Sequence, residues 1–155
     1  MTDTGERMYY DDVAVGDEWT SPARTITETD GAMWSYMTGD WTSLHVDEEY
    51  AKRFSPFGTR VPPGLMTVAI AQGLLSQMRL FHETAIAFLE LVVRYGDVVK
   101  FGDTVHARLR ITERRLASKG DRGLVRLKQT VVNQHGTVVQ DGEWLILVAR
   151  RPVAE

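Results

Sequence analysis

The sequence predicts a single α+β domain in which an antiparallel β-sheet covers one long central helix. Three observations predict it. Beyond Thr84 the chain reads as one strand after another, with apolar and polar residues alternating between turns. Ahead of that run, residues 65–80 form a helical stretch whose apolar side chains occupy nearly the whole circumference, as a helix enclosed by other elements requires. Finally, 155 residues with 43% hydrophobic and 25% charged side chains suit one domain with a proper core. The order of elements alone leaves other α+β arrangements open.

Residues 1–8 are expected to form a flexible tail before a domain spanning 9–150. An irregular segment then ends in a turn at Gly16-Asp17. Residues 18–26 carry enough Trp, Thr and Ile for a strand, which Pro22 interrupts. Thr27-Glu28-Thr29-Asp30 is a helix start, because a hydroxyl caps free N–H groups and acids suit the positive helix end. Ala32, Met33, Tyr36 and Met37 then give one apolar face, and Gly39 stops the helix. Asp47-Glu48-Glu49 opens a second short helix with Tyr50, Ala51 and Phe54 as its expected buried side. Val61-Pro62-Pro63-Gly64 leads into the long helix, since prolines suit a first helical turn. Its apolar residues on every side (Leu65, Met66, Val68, Ala69, Ile70, Leu74 among them) predict burial all round. Strands are expected at 85–93, 104–112, 124–132, 138–139 and 144–149, parted by turns at Gly102, Gly120 and Gly136.

Composition narrows the function classes. There is no cysteine, which excludes disulfides, thiolate metal sites and a cysteine nucleophile. The polar, acidic first residues lack the apolar core of a signal peptide, and no apolar run is long enough to span a bilayer. A cytoplasmic protein without a membrane partner is therefore expected. Residues 1–50 hold 12 acidic and 2 basic residues, the remainder 9 acidic and 16 basic. Solvated strand faces account for the basic half better than a phosphorylated ligand does. Nucleic acid is not expected, because no basic stretch is interleaved with aromatics. His82, His106 and His135 show no ligand-like spacing, so no metal site is expected. No glycine-rich phosphate loop supports a nucleotide cofactor.

Chemistry concentrates in Gly39-Asp40-Trp41-Thr42-Ser43-Leu44-His45, a loop between two helices. A carboxylate and an imidazole on one short loop can share a water or a proton and suit acid/base work near neutral pH. A capped turn and an exposed loop histidine would account for the same residues. Ser43 beside His45 lacks the Gly-x-Ser-x-Gly elbow of a hydrolase nucleophile.

The run Thr38-Gly39-Asp40-Trp41-Thr42-Ser43-Leu44-His45 resembles the signature of the MaoC-like, R-specific enoyl-CoA hydratase family, Gly-Asp-x-Asn-Pro-aliphatic-His. Tyr50-Ala51, Gly64-Leu65, Phe101-Gly102-Asp103-Thr104 and Asn133-Gln134-His135-Gly136 support the likeness over about residues 9–150. It implies the hotdog fold, a sheet wrapped round a central helix, and pairing into a homodimer or higher homo-oligomer. It further implies that Asp40 and His45 activate the water added across a 2-enoyl thioester, giving an R-specific 3-hydroxyacyl-CoA. The backbone N–H of Gly64 would hold the thioester oxygen. That role agrees with the residues, because a helix N-terminus presents free N–H groups to a developing enolate and glycine admits close approach. Coenzyme A would enter only as part of the substrate, with no separate cofactor, and an acyl-carrier thioester is the other carrier. Arg94, Lys100, Arg108, Arg126, Lys128 and Arg150 are candidates for contacts to its phosphates.

Two positions depart from the pattern. Thr42-Ser43 replaces Asn-Pro, which makes the Thr42 and Ser43 hydroxyls candidates for positioning water or substrate. Pro63 replaces the usual His before Gly64. Two alternatives stand beside the hydratase: a hotdog acyl-CoA thioesterase, against which the Asp40/His45 loop argues, and a non-catalytic acyl-thioester-binding or assembly subunit, which these changes admit.

Overall fold

The computed structural model describes residues 7–152. Residues 1–6 of the expected tail lie outside the described residues. Arg7 and Met8 are tied down, Arg7 by Glu83 and the Met8 carbonyl by the buried Thr84 hydroxyl at 2.6 Å.

A 3₁₀ turn at Tyr10–Asp12 precedes the strands β1 (Glu18–Thr20) and β2 (Arg24–Thr25). The helices α1 (Glu28–Thr38), α2 (Ser43–Val46), α3 (Glu48–Phe54) and α4 (Gly64–Gln77) follow, then β3 (Ala85–Tyr95), β4 (Thr104–Leu116), β5 (Arg122–Asn133) and β6 (Val138–Ala149). All strand pairs are antiparallel in one sheet of order β1-β4-β5-β6-β3, with β2 also on β4. The expected strand over 18–26 is split where Pro22 has no N–H to give. There the Ser21 side chain takes the place of a ladder bond, accepting from the Ala107 N–H at 2.9 Å.

The sheet curls over α4. Inward positions Val105, Ala107, Ile111 and Val125 are fully buried against Ile26, Met66, Ile70, Ala71 and Leu74. This is the helix-in-sheet frame of the hotdog fold. The α1 cap is the one the sequence indicates: the Thr27 hydroxyl accepts from the Asp30 N–H, and Gly39 closes the helix in the left-handed region at φ 74°.

Three burial expectations fail together. α4 is buried on one side only; Leu65, Ala69, Gln72, Gly73 and Ser76 are open. The α1 face of Ala32, Met33, Tyr36 and Met37 points outward, and Gly31 and Ser35 are its buried residues. In α3 only Ala51 is buried, while Tyr50 and Phe54 are exposed. β3, the apolar strand, is an edge paired only with β6 and exposes Ile86, Phe88, Leu89 and Leu91. One sheet can cover only one side of its helix, so these surfaces stay bare in a single chain.

Candidate active site

The left-handed Gly39 turns the chain off α1 and delivers Asp40 to a half-exposed position. The Thr42 hydroxyl donates to Asp40 Oδ1 at 2.7 Å, and the Thr42 N–H reaches the same oxygen at 3.3 Å. These bonds, the hydroxyl first, favour the ionised carboxylate and hold Asp40 below its ordinary pKa; the nearby His45 adds to the effect. Thr42 thus positions Asp40. Ser43 is exposed, and its hydroxyl has no partner among the described residues.

One helical turn, closed by the His45 N–H donating to the Thr42 carbonyl at 2.8 Å, brings the imidazole round. Its Nδ1 lies 2.7 Å from the Val61 carbonyl. A carbonyl oxygen can only accept, so Nδ1 carries the proton and neutral His45 keeps its lone pair on Nε2. Asp40 and His45 are each held by a third group, and no direct hydrogen bond joins them among the described residues. Asp40 Oδ2 and His45 Nε2 therefore both remain available to a third molecule.

Val61 leads through Pro62 and Pro63 to Gly64, the first residue of α4. Three residues span at most roughly 11 Å, which keeps the His45 acceptor close to the helix N-terminus. Pro63 supplies no side-chain cap. Its carbonyl takes the Met66 and Thr67 N–H groups at 3.0 and 3.3 Å, and the Gly64 N–H has no acceptor among the described residues. A free amide at a 14-residue helix start suits a developing oxyanion.

The structure gives a further reason for glycine here. A Cβ at Gly64 would lie 2.9 Å from ring atoms of Tyr95 and 3.1 Å from its hydroxyl. Gly64 admits the Tyr95 ring, which is half exposed. Sequence reasoning missed Tyr95, and its only signal was a tyrosine closing an apolar strand.

Of the basic candidates, Arg126 is taken up by Glu90, Glu113 and Glu143, Lys128 by Asp141 and Arg150 by Asp11. Arg94, Lys100 and Arg108 have no ion-pair partner among the described residues. No group of three or more His, Asp or Glu able to hold a metal ion occurs among the described residues. Nor is any described helix long and apolar enough to cross a membrane.

Comparison with known proteins shows the family and the fold. The family model described as MaoC like domain matches residues 13–133. A 3-hydroxybutyryl-CoA dehydratase from Methylorubrum extorquens is 28% identical over 148 residues, 96% of this chain and 88% of that protein. An (R)-specific enoyl-CoA hydratase from Rhodospirillum rubrum is 29% identical over 148 residues, 92% of this chain and 93% of that one. Protein MaoC from Klebsiella aerogenes is 33% identical over 103 residues, 66% of this chain, and the match spans only 30% of that longer protein. Among solved structures, a monoamine oxidase regulatory protein from Archaeoglobus fulgidus superposes with a TM-score of 0.88 at 31% identity, covering 94% of this chain and 97% of that one.

Proposed function

The chain belongs to the MaoC-like domain family, and from that premise we propose that it is an acyl-CoA hydro-lyase, reversibly adding water to a 2-enoyl-CoA to give the (R)-3-hydroxyacyl-CoA. The observation that carries the reading is the arrangement of Asp40 and His45. Each is anchored by a third group, with Oδ2 and Nε2 left free, and the Val61 carbonyl that holds His45 comes three residues before an uncapped helix amide.

In the hydration direction a water bound by Asp40 Oδ2 and His45 Nε2 adds its oxygen to C3 of the enoyl group. The pair takes one proton from that water and returns one proton to C2. Charge that gathers on the thioester oxygen in between is met by the Gly64 N–H. Dehydration runs the same steps backward. Attack from the single side on which Asp40 and His45 sit fixes the stereochemistry at C3. Coenzyme A is part of the substrate, and the reaction asks for no separate cofactor.

A homodimer completes the reading. The unpaired edge of β3 and the open apolar faces of α1 and α4 form the kind of surface that a second copy covers.

The test is to incubate purified protein with a short 2-enoyl-CoA and follow the loss of conjugated absorbance. Asp40→Asn and His45→Gln should each lower turnover by about 10²–10⁴-fold while circular dichroism stays unchanged. Activity that survives both substitutions sinks the mechanism. Release of free thiol instead of hydration would point to a thioesterase.

A further inference from the structure

Four segments of the chain meet at one guanidinium next to this site. Arg60 Nη2 reaches Glu28 in the first turn of α1 at 3.0 Å, and Nε reaches Glu48 in the first turn of α3 at 3.2 Å. The same group lies 5.8 Å from the centre of the Phe101 ring. That ring fills the space beside Gly31 of α1, where a Cβ would come within 2.7 Å of it. Glu48 also accepts the Arg60 backbone N–H at 3.2 Å and the Thr59 hydroxyl at 3.0 Å. These bonds, the backbone one first, keep Glu48 ionised by lowering its pKa.

The position of this cluster in the chain matters more than its strength. Val61, whose carbonyl receives His45 Nδ1–H, is the next residue after Arg60. Glu48 comes three residues after His45. Two sets of bonds, from Glu48 to Thr59 and Arg60 and from His45 to Val61, therefore fasten the same two segments in register. Glu28 begins α1, and the other end of α1 delivers Asp40. A helix is stiff, so fixing its first turn to Arg60 fixes the origin of the Asp40 loop relative to the Val61 carbonyl. The run from Val61 into Gly64 starts from the same anchor.

Stability does not account for the arrangement. The Glu28 side chain is 59% exposed, and exposed ion pairs contribute little to folding. A guanidinium shared between two carboxylates does fix direction, because its N–H groups project in a rigid plane.

We infer that Arg60 is a positioning residue: held between Glu28 and Glu48, it keeps the Val61 carbonyl where His45 Nδ1 must donate to it, so that Nε2 always faces the reacting water. The inference rests on the hydro-lyase reading for its effect on turnover, but its effect on the imidazole is independent of substrate. Without the Arg60 side chain the segment keeps only its Glu48 bonds from the Thr59 hydroxyl and the residue-60 N–H, the carbonyl is held less firmly, and neutral His45 populates both tautomers.

The experiment compares the parent protein with Arg60→Met, Arg60→Lys and Glu28→Gln, using ¹⁵N-edited NMR of the histidine rings above their titration and steady-state kinetics with a short 2-enoyl-CoA. The His45 signals are identified by their loss in His45→Gln. The parent should show the Nδ1-protonated ring alone, and Arg60→Met a mixture. Its kcat should fall about ten- to a hundredfold, the scale of a misplaced catalytic group, with KM changing less than about threefold on the same grounds. Arg60→Lys should recover part of both losses, and Glu28→Gln, at an exposed partner, should show the smaller change in a protein that folds. Unchanged tautomer populations in Arg60→Met and Glu28→Gln overturn the inference, whatever happens to kcat. If the parent does not hydrate enoyl-CoA at all, the hydro-lyase reading fails, and the ring spectra still decide the role of Arg60.

Discussion

The inward face of β4, β5 and β6 and the open side of the molecule are built from the same kinds of residue, and they have opposite fates. On the sheet, Ile111, Val125, Val131 and Val148 are fully buried and Leu127 is 1% exposed. On the open side, Leu65, Met37 and Leu89 are 65%, 74% and 50% exposed. Met33 and Met37 of α1 share a cleft of about 430 Å³ with Ala69 and Gly73 of α4, so the two bare faces are continuous. The difference teaches that apolar periodicity reports which positions must be kept dry, not which atoms keep them so. Within the sheet the covering atoms belong to the same chain. On the open side none of the described residues supplies them, and Tyr95, whose ring lies against Gly64, closes the bare strand β3.

Leu127 and Leu89 give the largest contrast. Leu127→Ala should cost about 2–5 kcal/mol in urea unfolding, since a side chain 1% exposed between Ile111 and Trp144 would leave a cavity. Leu89→Ala, measured at a dilution where the chain is single, should stay within about 0.5 kcal/mol, as for other surface positions. Leu89→Lys at high concentration should lower the sedimentation coefficient by disrupting assembly through β3. Equal costs for the two alanine variants in the single chain would erase the distinction between the regions.

This division also sets how much the sequence could convey. The strand alternation from Val105 to Ile111 and the Thr27 and Gly39 caps of α1 depend on local geometry and near neighbours, and they were legible. Asp40, His45 and Gly64 could be proposed as a set of groups, because their chemistry is in the residue types. Illegible were the relations made across the fold: the Val61 carbonyl that fixes the imidazole tautomer, the Tyr95 ring against Gly64, and Arg60 between two helices. A backbone acceptor has no residue-type signal, and long-range partners leave no spacing to read. The outward turn of Met33, Tyr36 and Met37 was illegible for another reason: an apolar face carries the same pattern whether or not its own chain covers it.

A smaller effect is expected inside the site. Thr42→Val removes the hydroxyl that does most to lower the Asp40 pKa. The carboxylate should then titrate at a higher pH, and the acid limb of kcat/KM should move upward with it. At a fixed pH on that limb, activity should fall about tenfold for every pH unit by which the limb moves, while the plateau near neutrality changes less. The sign for stability follows. A lowered folded-state value stabilises the fold at pH above the ordinary carboxylate range, and that contribution is lost as pH falls through the lowered value. Asp40 lies close to solvent, so the stability change should be slight and the kinetic change should carry the result. Thr42→Ser, which keeps the hydroxyl, should restore the parent profile; an unmoved acid limb in Thr42→Val would remove Asp40 as the group that titrates there.

The smallest effect separates the two regions most sharply, because its sign depends on what covers α4. Gly73 lies inside the helix, and a Cβ built on it meets nothing within 4 Å in the single chain. Glycine in a helix interior is less favourable than alanine by roughly 0.5–1 kcal/mol. Gly73→Ala should therefore stabilise the dilute, single chain by about that amount. If a second copy packs on the open side, the added methyl enters a surface that the glycine and Ala69 keep flat, and the copies must separate slightly to admit it. The same substitution should then weaken assembly, so the gain in melting temperature at low concentration should shrink or reverse as concentration rises. A gain that is the same at every concentration would mean that this stretch of α4 faces water, and the bare faces of α1 and β3 would then need a cover that leaves Gly73 free.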